Sequence, residues 1–186
     1  MTGQDATPNP TRQLLAGLQQ LGDGLAFNRH VGATVATLEV GHAETVLAAS
    51  RDLDNHLGGV HAVAELAPVE LAGALAATSR LAPLLERGLV PVVGEVAARY
   101  LAPARGELRA RATVGPEVVA PALSSLEQGH RPRVVADVEV VDTVGEVVLE
   151  ARLTFVFVAA DPDAGTAAAD GEAAAGGAAA TTAGRG

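Results

Sequence analysis

The sequence predicts an α+β fold in which an antiparallel sheet curls around one long central helix. Three observations predict it. Residues 60–78 form a helical run that is apolar on nearly every side. Two alternating segments precede that run and four follow it. A helix apolar all round has to be enclosed, and the sheet is the only partner available to enclose it.

Taken in order, "TRQLLAGLQQL" places leucines at 14, 15, 18 and 21, the stripe of a short amphipathic helix with Thr11 as a plausible N-cap. Residues 32–38 and 43–50 turn β-branched or alternating around "VGHA", which reads as a hairpin. A loop over 51–59 carries Asp52, Asp54, Asn55 and the pair Gly58-Gly59. The apolar helix follows, with Pro83 breaking its extension. "VVGEVAARYLA" and "GELRARATV" alternate at period two and look like an antiparallel pair. A poorly periodic stretch to His130 leads to "RVVADVEVV" and "EVVLEARLTFVFV", a further hairpin across "DTVG".

The 186 residues suffice for one core. The expected division is a disordered segment over 1–10, a single domain over 11–160, and a disordered Ala/Gly-rich tail over 161–186, where nothing apolar and bulky is left to bury. Apolar residues make up 48% of the chain but aromatics only 2%, so Val, Leu and Ala build the core, with Phe27, Tyr100, Phe155 and Phe157 as its few large fillers.

The formal charge of −9 argues against a nucleic-acid partner, since phosphate binding needs clustered cations. Cysteine is absent, which leaves neither disulfides nor thiolate metal sites and fits a cytoplasmic location. The polar start "MTGQDATPNP" lacks the pattern of a signal peptide, and Glu70 and Arg80 interrupt the longest apolar run. No membrane association is expected.

The pattern Asn55-x-x-Gly58-x-x-His61, followed nine residues later by Glu70, resembles the Asn-x-x-Gly-x-x-His motif and downstream carboxylate of the PaaI-like hotdog acyl-CoA thioesterases. It also resembles a related bacterial thioesterase-like group, the YiiD C-terminal-like proteins. The likeness runs from about Phe27 to Val158 and includes "FNRHVGATVATLEV" and "GEVAARYLAPARGELRARA". Ala62 and Val63 stand where that family commonly has glycines, and Pro68 precedes the carboxylate by two residues. The resemblance implies a hotdog fold, an acyl-CoA or acyl-carrier thioester as substrate, a homodimer or dimer of dimers, and no cofactor other than coenzyme A carried on the substrate.

Thioester hydrolysis needs an activated water or a carboxylate nucleophile, together with a donor for the developing oxyanion. Glu70, set in an apolar helix, is the candidate base or nucleophile, because desolvation raises a carboxyl pKa towards neutrality. Asn55 is the candidate positioning amide, as the resemblance implies. Backbone N–H groups at Ala62 and Val63, near the helix start, are candidate oxyanion donors, with Gly58 and His61 in orienting roles.

Nine residues of helix turn through about 900° and advance roughly 13 Å, so His61 and Glu70 of one chain face opposite ways. A composite site is therefore expected, in which Glu70 of one subunit faces the Asn55 loop of the other. His61, Glu65 and His56 could be drawn as a metal site but lack a supported third ligand, and no metal is expected. Arg99, Arg105, Arg109 and Arg111 could meet coenzyme A phosphates, although a solvated strand face is the better reading. The alternative to an enzyme is a non-catalytic acyl-thioester-binding hotdog protein, motivated by Val63 and Pro68. A hotdog hydratase ranks behind both, since no matching Asp and His pair is found.

Overall fold

The computed structural model of the chain describes residues 9–160. Of the segments expected to be disordered, 1–10 and 161–186, only Asn9 and Pro10 lie within the described residues, and they form the cap and the first residue of a helix. Asn9 caps the first helix by accepting from the Thr11 N–H, at 2.9 Å. That helix, α1 (Pro10–Gly24), is capped by Asn9 and not by Thr11 as expected, and it runs from one residue before the segment 11–21 to three residues beyond it. A short helix α2 (Ala26–Val31) then closes on Gly32 and leads into the hairpin β1 (Ala33–Glu39) and β2 (His42–Leu47).

The long apolar run is α3 (Ala62–Arg80), followed by one turn, α4 (Ala82–Leu85). The strands β3 (Leu89–Tyr100) and β4 (Leu108–Thr113) come next, then helix α5 (Val119–Glu127), β5 (Arg133–Val141) and β6 (Val147–Ala159). Their order in the single six-stranded sheet is β1-β2-β4-β5-β6-β3, every pairing antiparallel. Two expected hairpins, β1–β2 and β5–β6, are present.

The third expected pair is not. β3 and β4 are consecutive in sequence and lie far apart in the sheet, β3 on β6 at one edge and β4 between β2 and β5. Period-two alternation identifies a strand but carries no information about its neighbour. The stretch called poorly periodic conceals α5, whose nine residues are too few for a persuasive helical repeat.

The sheet wraps α3 as expected, and the contact is close because the helix surface is small. Gly73 shows why: a Cβ there would meet Phe155 Cε2 at 3.1 Å and Phe155 Cζ at 3.2 Å. Ala72, Ala76 and Ala77 are fully buried on the same helix, and Phe155 and Phe157 of β6 are the largest side chains wholly buried in the core. The other two expected fillers do not serve the core: Phe27 is 62% exposed and Tyr100 46%.

Pro68 sits within α3 rather than at its start. Its missing N–H frees the Ala64 carbonyl from the helical ladder, while its own carbonyl accepts from Thr45 Oγ1 of β2 at 2.7 Å. At the far end Ser79 Oγ donates towards the Glu39 carbonyl and accepts from the Gly41 N–H, at 3.2 and 3.0 Å. Arg80 donates to the carbonyls of Val114 and Val40. These bonds tie the helix exit to the β1–β2 turn.

Gly73→Val is expected to destabilise the fold by about 1–3 kcal/mol, since the added methyls press on Phe155 in a filled interior. Denaturant unfolding of the two proteins side by side measures it.

Candidate active site

The loop before α3 is built around Asn55. Its Oδ1 accepts from the N–H groups of Leu57 and Gly59, at 2.8 and 3.3 Å, and its Nδ2 donates to the Val60 carbonyl at 3.1 Å. The amide expected to position a substrate thus also staples its own loop, leaving one Nδ2 hydrogen for a ligand. Gly58 takes a positive φ of 73°. Gly59 passes so near the segment after β3 that a Cβ would come within 2.8 Å of the Ala104 carbonyl oxygen.

His61 is exposed and is the N-cap of α3, its Nδ1 accepting from the Val63 N–H at 3.2 Å. Of the two backbone donors expected at the helix start, the Val63 N–H is therefore occupied. The Ala62 N–H makes no hydrogen bond among the described residues. It is one of the orphan donors of a long helix, carrying the positive end of the helix dipole. From β3, Tyr100 Oη donates to the Ala62 carbonyl at 2.8 Å and so fixes the first turn to the sheet edge.

Asn55, Leu57, Ala62, Tyr100 and Leu101 line a cleft of about 380 Å³ beside the helix start. The carboxyl they surround is not Glu70 but Glu65. Glu65 is 4% exposed, and its Oε2 is buried without a hydrogen-bond partner. Burial pushes its pKa from the ordinary 4.5 up to about 7. Its charge in turn adds to the desolvation that raises the Tyr100 phenol. Sequence reasoning met Glu65 only as a metal ligand. The usable signal was its place, four residues after His61 and so one turn into the same apolar helix.

Glu70 lies elsewhere. Val63, Leu66, Glu70 and Ala74, at spacings of three and four, make the one stripe of α3 that the sheet leaves uncovered. Glu70 is solvent-exposed in the single chain, and the surrounding protein still desolvates it enough to raise its carboxyl above the ordinary value.

The edge strand β3, which touches α3, is also bare. Val93, Val96 and Tyr100 pair with Phe155, Leu153 and Leu149, whose side chains are buried in the core, so their own side chains lie on the helix-facing side. They are nonetheless 39%, 42% and 46% exposed. A single chain thus holds Asn55, the helix start and Glu65 together, and presents Glu70 separately on an open apolar face.

The arginines considered for phosphate contacts are mostly engaged. Arg109 and Arg111 both reach Glu44, Arg109 also reaches Glu107, and Arg99 reaches Glu150. Arg105 stands at the loop, donating to the Gly58 carbonyl at 3.3 Å.

Among the described residues one helix, α3, is long and apolar enough by length and composition to cross a membrane, and most of it is buried under the sheet. No curated protein matches the chain. Among solved structures, a probable thioesterase of Pseudomonas aeruginosa shares 22% identity at a TM-score of 0.67, with 81% of this chain and 97% of that one aligned. A thioesterase family protein from Silicibacter pomeroyi shares 21% identity at 0.63, covering 78% and 99%. The PaaI protein of the E. coli phenylacetic acid degradation operon shares 20% identity at 0.56, covering 78% and 97%. These likenesses show the hotdog fold.

The raised pKa of Glu65 makes folding stability depend on pH. A carboxyl whose pKa rises on folding favours the native state fully below about pH 4.5, and the benefit is lost as pH climbs through about 7. Between those values the wild type is expected to lose up to roughly 3 kcal/mol from this group. Glu65→Gln removes that part of the slope, which urea midpoints at pH 5 and pH 8 measure.

With the fold and the geometry of the helix start established, the family assignment follows: the chain belongs to the DUF4442 family, a domain of unknown function, whose model matches residues 21–157.

Proposed function

We propose that the protein hydrolyses acyl thioesters, of coenzyme A or a carrier protein, at a composite site formed by two copies of the chain. The observation that carries the reading is the separation of parts. The Asn55 loop and the free Ala62 N–H form one half of a thioester site, while Glu70 stands apart on an uncovered apolar stripe beside an uncovered edge strand. A second copy laid against β3 covers Val93, Val96 and the stripe together, satisfies the open strand edge, and presents its Glu70 to the cleft. The fold shared with thioesterases supports the same reading.

In this reading the thioester carbonyl oxygen sits at the start of α3, where the Ala62 N–H and the helix dipole stabilise the oxyanion. Asn55 holds the acyl group or the attacking water through its free amide hydrogen. Glu70 of the second copy takes the proton from water, and desolvation under the joined surface brings its pKa nearer the working pH. The site needs no cofactor beyond the coenzyme A of its substrate, and the cysteine-free composition suits the cytoplasm.

Thiol release from short, medium, long and aryl acyl-CoAs, with wild type beside Glu70→Gln, tests the chemistry. The expected outcome is turnover by the wild type and a fall of at least 100-fold in kcat for the variant. A non-catalytic binding protein shows instead equal acyl-CoA affinity in both and turnover in neither.

The pairing has its own test. Val96→Arg places a charge in the covered patch, and sedimentation equilibrium is expected to find a dimer or larger species for the wild type and a monomer for the variant.

A further inference from the structure

We propose that Glu65 is a second catalytic carboxyl, the acid that protonates the sulfur leaving the thioester. The inference rests on the hydrolase reading above and assigns to the same cleft a residue that reading does not use.

Three polar side chains line the cleft, those of Asn55, Glu65 and Tyr100. Asn55 spends its oxygen and one amide hydrogen on its own loop, and Tyr100 donates its hydroxyl hydrogen to the Ala62 carbonyl. Glu65 Oε2 has no partner, although the residue is only 4% exposed. A buried polar atom with no partner costs free energy that a purely structural position has no reason to bear. Leu in its place would bury more apolar surface at no such cost.

The position adds to the case. Glu65 lies in the first turn of a 19-residue helix, beside the Ala62 N–H that faces the oxyanion in the reading above. The dipole there favours a carboxylate, yet burial dominates and lifts the pKa to about 7, so a large share of Glu65 is protonated at neutral pH. A neutral carboxyl offers one O–H donor. In this cleft an acceptor for it has to arrive with the ligand.

The proton balance closes. Glu70 of the second copy removes a proton from water as its oxygen bonds to the carbonyl carbon, giving a tetrahedral oxyanion. That intermediate collapses, the carbon–sulfur bond breaks, and its electron pair leaves on sulfur. Glu65 gives its proton to that sulfur, producing the free thiol and the Glu65 carboxylate. The acid product and Glu70 release their protons to solvent, and Glu65 regains one.

The test compares leaving groups. An alkyl thiolate such as that of coenzyme A is basic and gains from protonation, whereas a nitrothiophenolate leaves readily without it. Glu65→Gln keeps the shape and a hydrogen-bond donor but has no acidic proton. Its kcat/KM on acyl-CoA is expected to fall at least 30-fold, and that on the S-nitrophenyl ester of the same acyl group less than 3-fold. Glu65→Ala supplies the same ratio should the Gln variant not fold.

Equal losses on the two substrates, or no loss on either, overturn the proposal while leaving the hydrolase reading intact. A wild type inert towards both thioesters overturns the hydrolase reading, and the proposal with it.

Discussion

The close approach of α3 to the sheet is the constraint on which the rest of the molecule depends. Ala72, Gly73, Ala76 and Ala77 leave the buried side of the helix almost without side chains, so that at Gly73 the contact with Phe155 is made near the backbone. A contact of this kind tolerates little sliding, because interiors are packed to the density of crystals. The helix start is thereby held in fixed relation to the loop that passes Ala104 through Gly59, and the cleft inherits its shape from both. The bonds of Ser79 and Arg80 to the β1–β2 turn hold the other end.

Much of this architecture was legible in the sequence, and the reasons are physical. A run apolar on all sides needs an enclosure, and short turns between alternating segments give adjacent antiparallel strands. The place of β3 was not legible, because its partners on β6 lie 49 to 70 residues further along and alternation does not encode long-range pairing. Phe27 and Tyr100 show a related limit. An aromatic residue in an Ala-rich chain reads as a core filler, but exposure is decided by which face the completed sheet leaves open.

The site divides in the same way. Asn55, Gly58 and His61 were singled out by their resemblance to a family motif, and the structure sets them on the loop and cap that lead into α3. Glu65 was weighed only as a metal ligand beside His61 and His56, because its burial cannot be read from one acidic residue among apolar neighbours. What singles it out is three-dimensional: a buried oxygen without a partner, on a residue that lines a cleft whose other polar side chains, Asn55 and Tyr100, already bond to the backbone. Glu70 presents the converse. The expectation of an enclosed helix hid the stripe that the sheet does not cover, and Glu70 stands on that stripe in the single chain.

Tyr100 belongs to two structures at once. Its backbone completes the ladder of the sheet's last strand, and its hydroxyl holds the carbonyl of the residue that opens α3. The strand edge and the helix mouth therefore share a strut, so displacement of one is transmitted to the other through a single 2.8 Å link. A change that removes the Tyr100 hydroxyl therefore frees the mouth of the helix from the edge of the sheet in one stroke.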